Sequence, residues 1–116
     1  MQGTWNLVSA MDDGEALPED KVKQTTIVVQ GDTFRFPRLA EDPTARAGTF
    51  KLDETKNPKE IDSTSTEKEV ALGIYELEAN NYKVCFAPAG KPRPAKFTSE
   101  RGSGQILQVW ERQKKN

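Results

Sequence analysis

Histidine is absent from this 116-residue chain, and cysteine occurs once. Without histidine a Ser-His-Asp triad, a Cys-His pair and a histidine metal site are all excluded within one chain. The lone Cys85 can form no internal disulfide, so cysteine usage gives no sign of an oxidising compartment. Charge of one sign is lacking too. Seventeen basic residues against eighteen acidic ones leave a net charge of -1, and no global field favours nucleic acid or an acidic membrane. No apolar run approaches the roughly 18 residues of a membrane span. Nothing resembling a signal peptide precedes Trp5. Because Met1 stands only two residues before the first expected strand, this reading allows for an upstream leader already removed and leaves the compartment open.

What is present is polar and short in period. Hydrophobic residues make up 34% and charged ones 30%, so the apolar groups must be used economically. One domain spanning residues 1–116, with a single thin inner layer, fits that economy. Short runs of β-branched and aromatic residues separated by turn residues argue against helices and for about eight strands. The expected strands are 4–11, 25–30, 33–37, 47–53, 60–64, 70–77, 82–87 and 105–112. In the first, Trp5, Leu7, Ser9 and Met11 share one side. Gly31-Asp32 makes the clearest hairpin, after which Phe34 and Phe36 share a face with Arg35 opposite. Phe50 and Leu52 repeat the pattern. The strand at 60–64 is short and polar, and 63–69 reads equally well as loop.

Later in the chain Tyr82, Val84 and Phe86 alternate with Lys83, Cys85 and Ala87, which aims the aromatic set inward and puts Cys85 in an outer or intermediate layer. The last strand has apolar groups on both sides, Ile106 and Trp110 against Leu107 and Val109, and the pattern leaves its inner face open. Between residues 17 and 21, Pro18 with the acids after it suggests one helical turn acting as a short lid or plug. Residues 88–104 form a long basic connection holding Lys91, Arg93, Lys96 and Arg101, with a brief extended piece expected around Phe97.

No strand is followed by a helix long enough for a parallel crossover, so antiparallel neighbours joined by short turns are the economical topology. Pairing the first strand with the last removes the exposed edges. Gly3 two residues before Trp5, with Arg112 at the end of the final strand, suits the floor of such a tube: the indole fills the narrow end and the guanidinium lies across it. The fold class is therefore all-β, a single antiparallel up-and-down β-barrel.

Several blocks in order carry a resemblance: Gly3-Thr4-Trp5, Gly48-Thr49-Phe50-Lys51-Leu52-Asp53, Lys56-Asn57-Pro58-Lys59 with Ile61-Asp62, Gly73-Ile74-Tyr75-Glu76-Leu77, Gly90-Lys91-Pro92-Arg93-Pro94 with Phe97, and Gly102-Ser103-Gly104-Gln105. Together they resemble a lipocalin-like domain of unknown function abundant in planctomycete bacteria, over nearly the whole chain. More widely the chain is similar to the lipocalin and fatty-acid-binding superfamily. That resemblance implies a barrel holding a small apolar ligand, and a first-strand tryptophan packed with a late arginine, here Trp5 and Arg112. Two departures are a long loop at 39–44, expected to reshape the barrel mouth, and the absence of the usual leader.

The paired acids at 12–13, 19–20, 41–42 and 53–54 read as solvated turn residues, because adjacent carboxylates on a strand point to opposite faces. Their spacing matches no calcium loop, and no metal or cofactor is expected. Cys85 has no partner base and reads as a packed thiol. The expectation is thus a non-enzymatic module that binds a small apolar or amphiphilic molecule among Phe34, Phe36, Phe50, Tyr75, Tyr82 and Phe86, with Arg93 near the mouth orienting an anionic head. The alternative is a filled barrel, a protein-interaction domain that meets an acidic protein surface through its rim and the basic loop 88–104. An enzyme using carboxylates or Tyr75 is the third class.

Overall fold

Strands this short bury their apolar sides only by pairing edge to edge. In the computed structural model, which describes residues 2–23, 25–35, 47–65, 68–88 and 90–113, they do so in chain order. The elements are β1 (Gly3–Asp12), β2 (Glu15–Ala16), α1 (Glu19–Lys23), β3 (Thr26–Gln30), β4 (Thr33–Arg35), β5 (Ala47–Asp53), β6 (Lys59–Ser65), β7 (Val70–Leu77), β8 (Asn81–Phe86) and β9 (Ile106–Arg112). Eight of the strands, β1 and β3 to β9, make a closed antiparallel up-and-down barrel, with the two-residue β2 appended to β1. Closure runs along the whole of β9, from Trp5 opposite Arg112 to Asp12 opposite Ile106. Phe36 and the 39–44 loop lie outside the described residues.

The polar fifth expected strand is a full seven-residue strand, β6, paired along both sides by β5 and β7. Ladder hydrogen bonds on two edges outweigh weak side-chain propensity there. In β1 the expected alternation fails after Leu7. The register shifts between Leu7 and Ser9, so Val8 is the extra residue of a β-bulge and stands 48% exposed. One inserted residue moves every later side chain to the other face. Ala10 is buried as a result, and Ser9 is exposed instead of sharing the tryptophan's side.

At the floor, Trp5 is fully buried, with its ring centroid 5.9 Å from that of Tyr82. The Arg112 guanidinium lies 4.3 Å over the indole, donates through Nη1 to the Gln2 carbonyl, and donates through Nε to the Ala79 carbonyl at 3.2 Å. Gly3 makes room for it. At a φ of 115°, a side chain there would be strained, and its Cβ would stand 2.9 Å from Arg112 Nη1. Gln2 extends the stitch to the β3–β4 turn, donating to the Gly31 carbonyl at 2.8 Å and accepting from its N–H at 2.6 Å.

The helical turn expected near Pro18 is α1, with the Lys21 and Val22 amides donating to the Pro18 carbonyl and the acids Glu19 and Asp20 at its start. Val22 joins the core cluster and Leu17 packs against it.

From residue 90 on, the long basic connection does not stand at the mouth; it crosses the outer wall as a strap. Cys85 points outward and is nevertheless 0% exposed, with its thiol 3.2 Å from the Thr98 carbonyl. Ile74, also outward, is buried beside it. No strand forms around Phe97. The Thr98 amide turns back to the Lys96 carbonyl, and the Phe97 ring sits 4.9 Å from the Lys83 ammonium. The far end of the strap is tied to the β1–β2 turn: Asp13 accepts from the Gly102 and Gly104 amides at 2.8 Å each, and the Ser99 hydroxyl accepts from the Gly14 amide.

Candidate functional site

Inside the barrel the inward residues of β3 to β6, β8 and β9 leave a cavity of about 70 Å³. Phe34, Phe50, Tyr82 and Phe86 line it, as do Ile27, Val29, Ile61, Val84 and Trp110. Two glycines let the rings lie flat against the sheet. Phe34 stands opposite Gly48 and Phe86 opposite Gly73, where an added Cβ would come within 3.0 Å and 2.7 Å of the respective rings. An aromatic laid over a cross-strand glycine covers backbone that would otherwise be bare.

Two polar side chains, Ser63 and Gln108, complete the lining, and none of the lining residues carries a charge. Ser63 and Phe86 also line a groove of about 270 Å³ with Glu69, Ala71, Ala87, Pro88 and Ile106. Because both spaces share these two side chains, the cavity and the groove adjoin there. Gln108 belongs to the cavity and not to the groove, and by register it lies two residues nearer the floor than Ile106, which lines the groove.

Of the residues expected at the site, Phe34, Phe50, Tyr82 and Phe86 come together. Tyr75 is buried next to Tyr82 at 6.3 Å between ring centroids, beside the cavity and not on its wall. Its hydroxyl is buried and has no hydrogen-bond partner among the described residues. Phe36 lies outside the described residues.

Arg93 is the clear correction. It is on the outer wall, where Nη1 donates to the carbonyls of Ile61 at 3.1 Å and Gly73 at 2.8 Å, Nη2 meets Asp62 at 2.7 Å and Nε meets Glu60 at 3.4 Å. With Ile61 facing inward, Glu60 and Asp62 must face outward, and they draw the guanidinium to their own side of the sheet. It clamps the strap rather than orienting a ligand in the cavity. Lys91, Lys96 and Arg101, by contrast, are exposed.

Sequence reasoning missed Gln108, Trp110, Ser63, Ile27, Val29 and Ile61 as lining residues, and it placed Val84 on the inward face of its strand without assigning it to the site. For β9 the signal was present but two-sided; the register that puts Trp110 opposite both Tyr82 and Leu7 decides that Ile106, Gln108 and Trp110 face in.

Burial pushes the Tyr82 hydroxyl far above its ordinary value of 10.0, and Tyr75 adds to the shift. Tyr75 is raised by burial and then by Glu54 and Asp53. Cys85 is raised by burial, partly offset by its bond to the Thr98 carbonyl. A folded pKa above the unfolded one means that the neutral form is favoured in the fold. The stabilisation is complete below the unfolded value and is lost as pH climbs toward the folded one. Stability is therefore expected to fall from about pH 9, where unfolded cysteine ionises, and more steeply above pH 10. Absorbance at 295 nm should show the Tyr82 phenolate forming together with loss of the near-ultraviolet circular dichroism, not before it.

Among the described residues no group of three or more Asp, Glu or Cys could hold a metal ion, and no helix is long and apolar enough to cross a membrane. Compared with known proteins, the chain matches no family model, no curated protein and no solved structure.

Proposed function

We propose that this barrel is a non-enzymatic binding module for a small apolar molecule, taken into the interior cavity through the adjoining groove at the rim. The observation that carries the reading is an uncharged, ring-lined space that adjoins a groove through Ser63 and Phe86. The size of the cavity limits the occupant. Drug-sized ligands need roughly 300–1,000 Å³, and a benzene fits an apolar cavity of about 150 Å³. About 70 Å³, roughly half of that, therefore takes a group of about three carbons. At ~0.8 kcal/mol per buried methylene, such a group contributes about 2.4 kcal/mol, an interaction weaker than millimolar. A tighter ligand has to extend into the groove. The resemblance to lipocalin-like barrels points the same way, toward a ligand within the tube.

The test is a titration with n-pentane and 2-pentanone followed through the methyl resonances of Val29, Ile61 and Val84. Shifts confined to these methyls are expected, and Ile61→Phe, which fills the cavity, should abolish them while the fold survives. No shift from either compound would refute the reading.

The second reading, a protein-interaction surface, is favoured by the exposed Lys91, Lys96 and Arg101 on a strap held firmly against the wall. It predicts an acidic protein partner whose association weakens steeply with salt.

A further inference from the structure

The cavity is apolar in area yet specific in its polar groups. Gln108 Oε1 lies 3.3 Å from Trp110 Nε1. An indole N–H can only donate, so the amide oxygen must be the atom that faces it, and the NH₂ end is turned elsewhere. That NH₂ has no partner among the described residues. Gln108 is half-buried and lines the ring-lined space, so with its oxygen fixed on the indole its amide nitrogen is a donor available to an acceptor brought into that space. Ser63, nearer the mouth, brings a hydroxyl that can also donate.

Charge sets the other limit. None of the residues lining the cavity is a lysine or an arginine, and Arg93 is committed to Glu60 and Asp62 on the outer wall. A carboxylate carried to Gln108 would be an unpaired buried anion, which is far costlier than a neutral acceptor.

Building on the binding role proposed above, we infer that the cavity selects a neutral, short-chain molecule bearing a carbonyl-type acceptor, a ketone, ester or lactone. It enters oxygen first, so that the Gln108 amide donates to the carbonyl while the carbon chain runs back between Phe50 and Phe86 toward Ser63. Water is the competing occupant, since two donors can hold one as well.

Three probes of equal length separate these cases: n-pentane, 2-pentanone and pentanoate, each titrated at neutral pH against the intact protein. The expected order is 2-pentanone tighter than n-pentane by roughly three- to tenfold, the worth of one net hydrogen bond, with pentanoate not bound. In Gln108→Leu the preference for the ketone should vanish while pentane still binds. Gln108→Glu gives a second, independent check. It keeps an acceptor for the Trp110 indole but replaces the donor by a carboxylate oxygen, so ketone binding should fall below that of pentane. Equal binding of ketone and alkane to the native protein, or a ketone preference that survives both substitutions, overturns this inference and leaves the binding module standing. Tight pentanoate binding at neutral pH also overturns it. Binding of none of the three removes both.

Discussion

Trp5→Ala is expected to destabilise the protein by about 3–5 kcal/mol, as full truncation of a buried aromatic does. Against a total of roughly 5–15 kcal/mol for a domain of this kind, such a loss leaves the variant near its unfolding threshold at 25 °C. The size follows from what the indole touches. It is fully buried, packs on Tyr82, lies under Arg112 and sits where β1 meets both β3 and β9. Removing it opens the floor of the tube at its seam. Because the resulting space reaches the Arg112 guanidinium, the cavity would admit water, and the cation–π contact, worth about 0.5–2 kcal/mol, goes with it. Urea unfolding measures the effect. A midpoint displaced by less than the equivalent of about 0.5 kcal/mol would mean that the indole does not hold the seam. Trp5→Phe, which keeps a ring, should lose well under half as much.

Arg93→Ala should free the strap. In the native protein one guanidinium serves two backbone carbonyls and two carboxylates on neighbouring strands, a set that matches the planar fork of arginine and not the point charge of lysine. Hydrogen bonds between charged groups are worth about 1.5–3 kcal/mol each. The site is partly exposed, so screening brings the expected total down to about 2 kcal/mol. The reporter is Cys85, which is 0% exposed beneath the strap. If thiol modification proceeds through local opening, 2 kcal/mol corresponds to roughly thirtyfold faster reaction with a disulfide reagent. Arg93→Lys should recover only part of the protection. Lys91→Ala, which alters an exposed side chain of the same segment, should leave the rate unchanged. Equal rates in the native protein and Arg93→Ala would show that the clamp does not hold the strap down.

The contrast between Trp5 and Arg93 shows what the sequence made legible. The floor could be read because its parts sit at the two chain ends in a recognisable order, and a closed tube requires those ends to meet. Gly31-Asp32 gave the β3–β4 turn, and the alternation of Phe34, Phe50, Tyr82 and Phe86 gave most of the aromatic wall. The role of Arg93 was hidden, since it depends on Glu60 and Asp62 some thirty residues upstream, and nothing local marks that pairing. The Val8 bulge was hidden as well: one extra residue in a strand leaves no compositional trace, yet it turns Ser9 outward and buries Ala10. Gln108 was missed for a third reason. Both faces of β9 are apolar, and only closure against β1 and β8 decides which one is inside.

The most direct test of the ring-lined space is a crystal of the protein pressurised with xenon, which settles in dry apolar cavities and makes no demand on ligand identity. The expected result is one strong site bounded by Phe34, Phe50, Phe86 and Trp110, and its disappearance in Ile61→Phe. An interior with side chains in van der Waals contact throughout and no xenon between them would contradict the account, and the binding role would have to be given up for the outer surface of the strap.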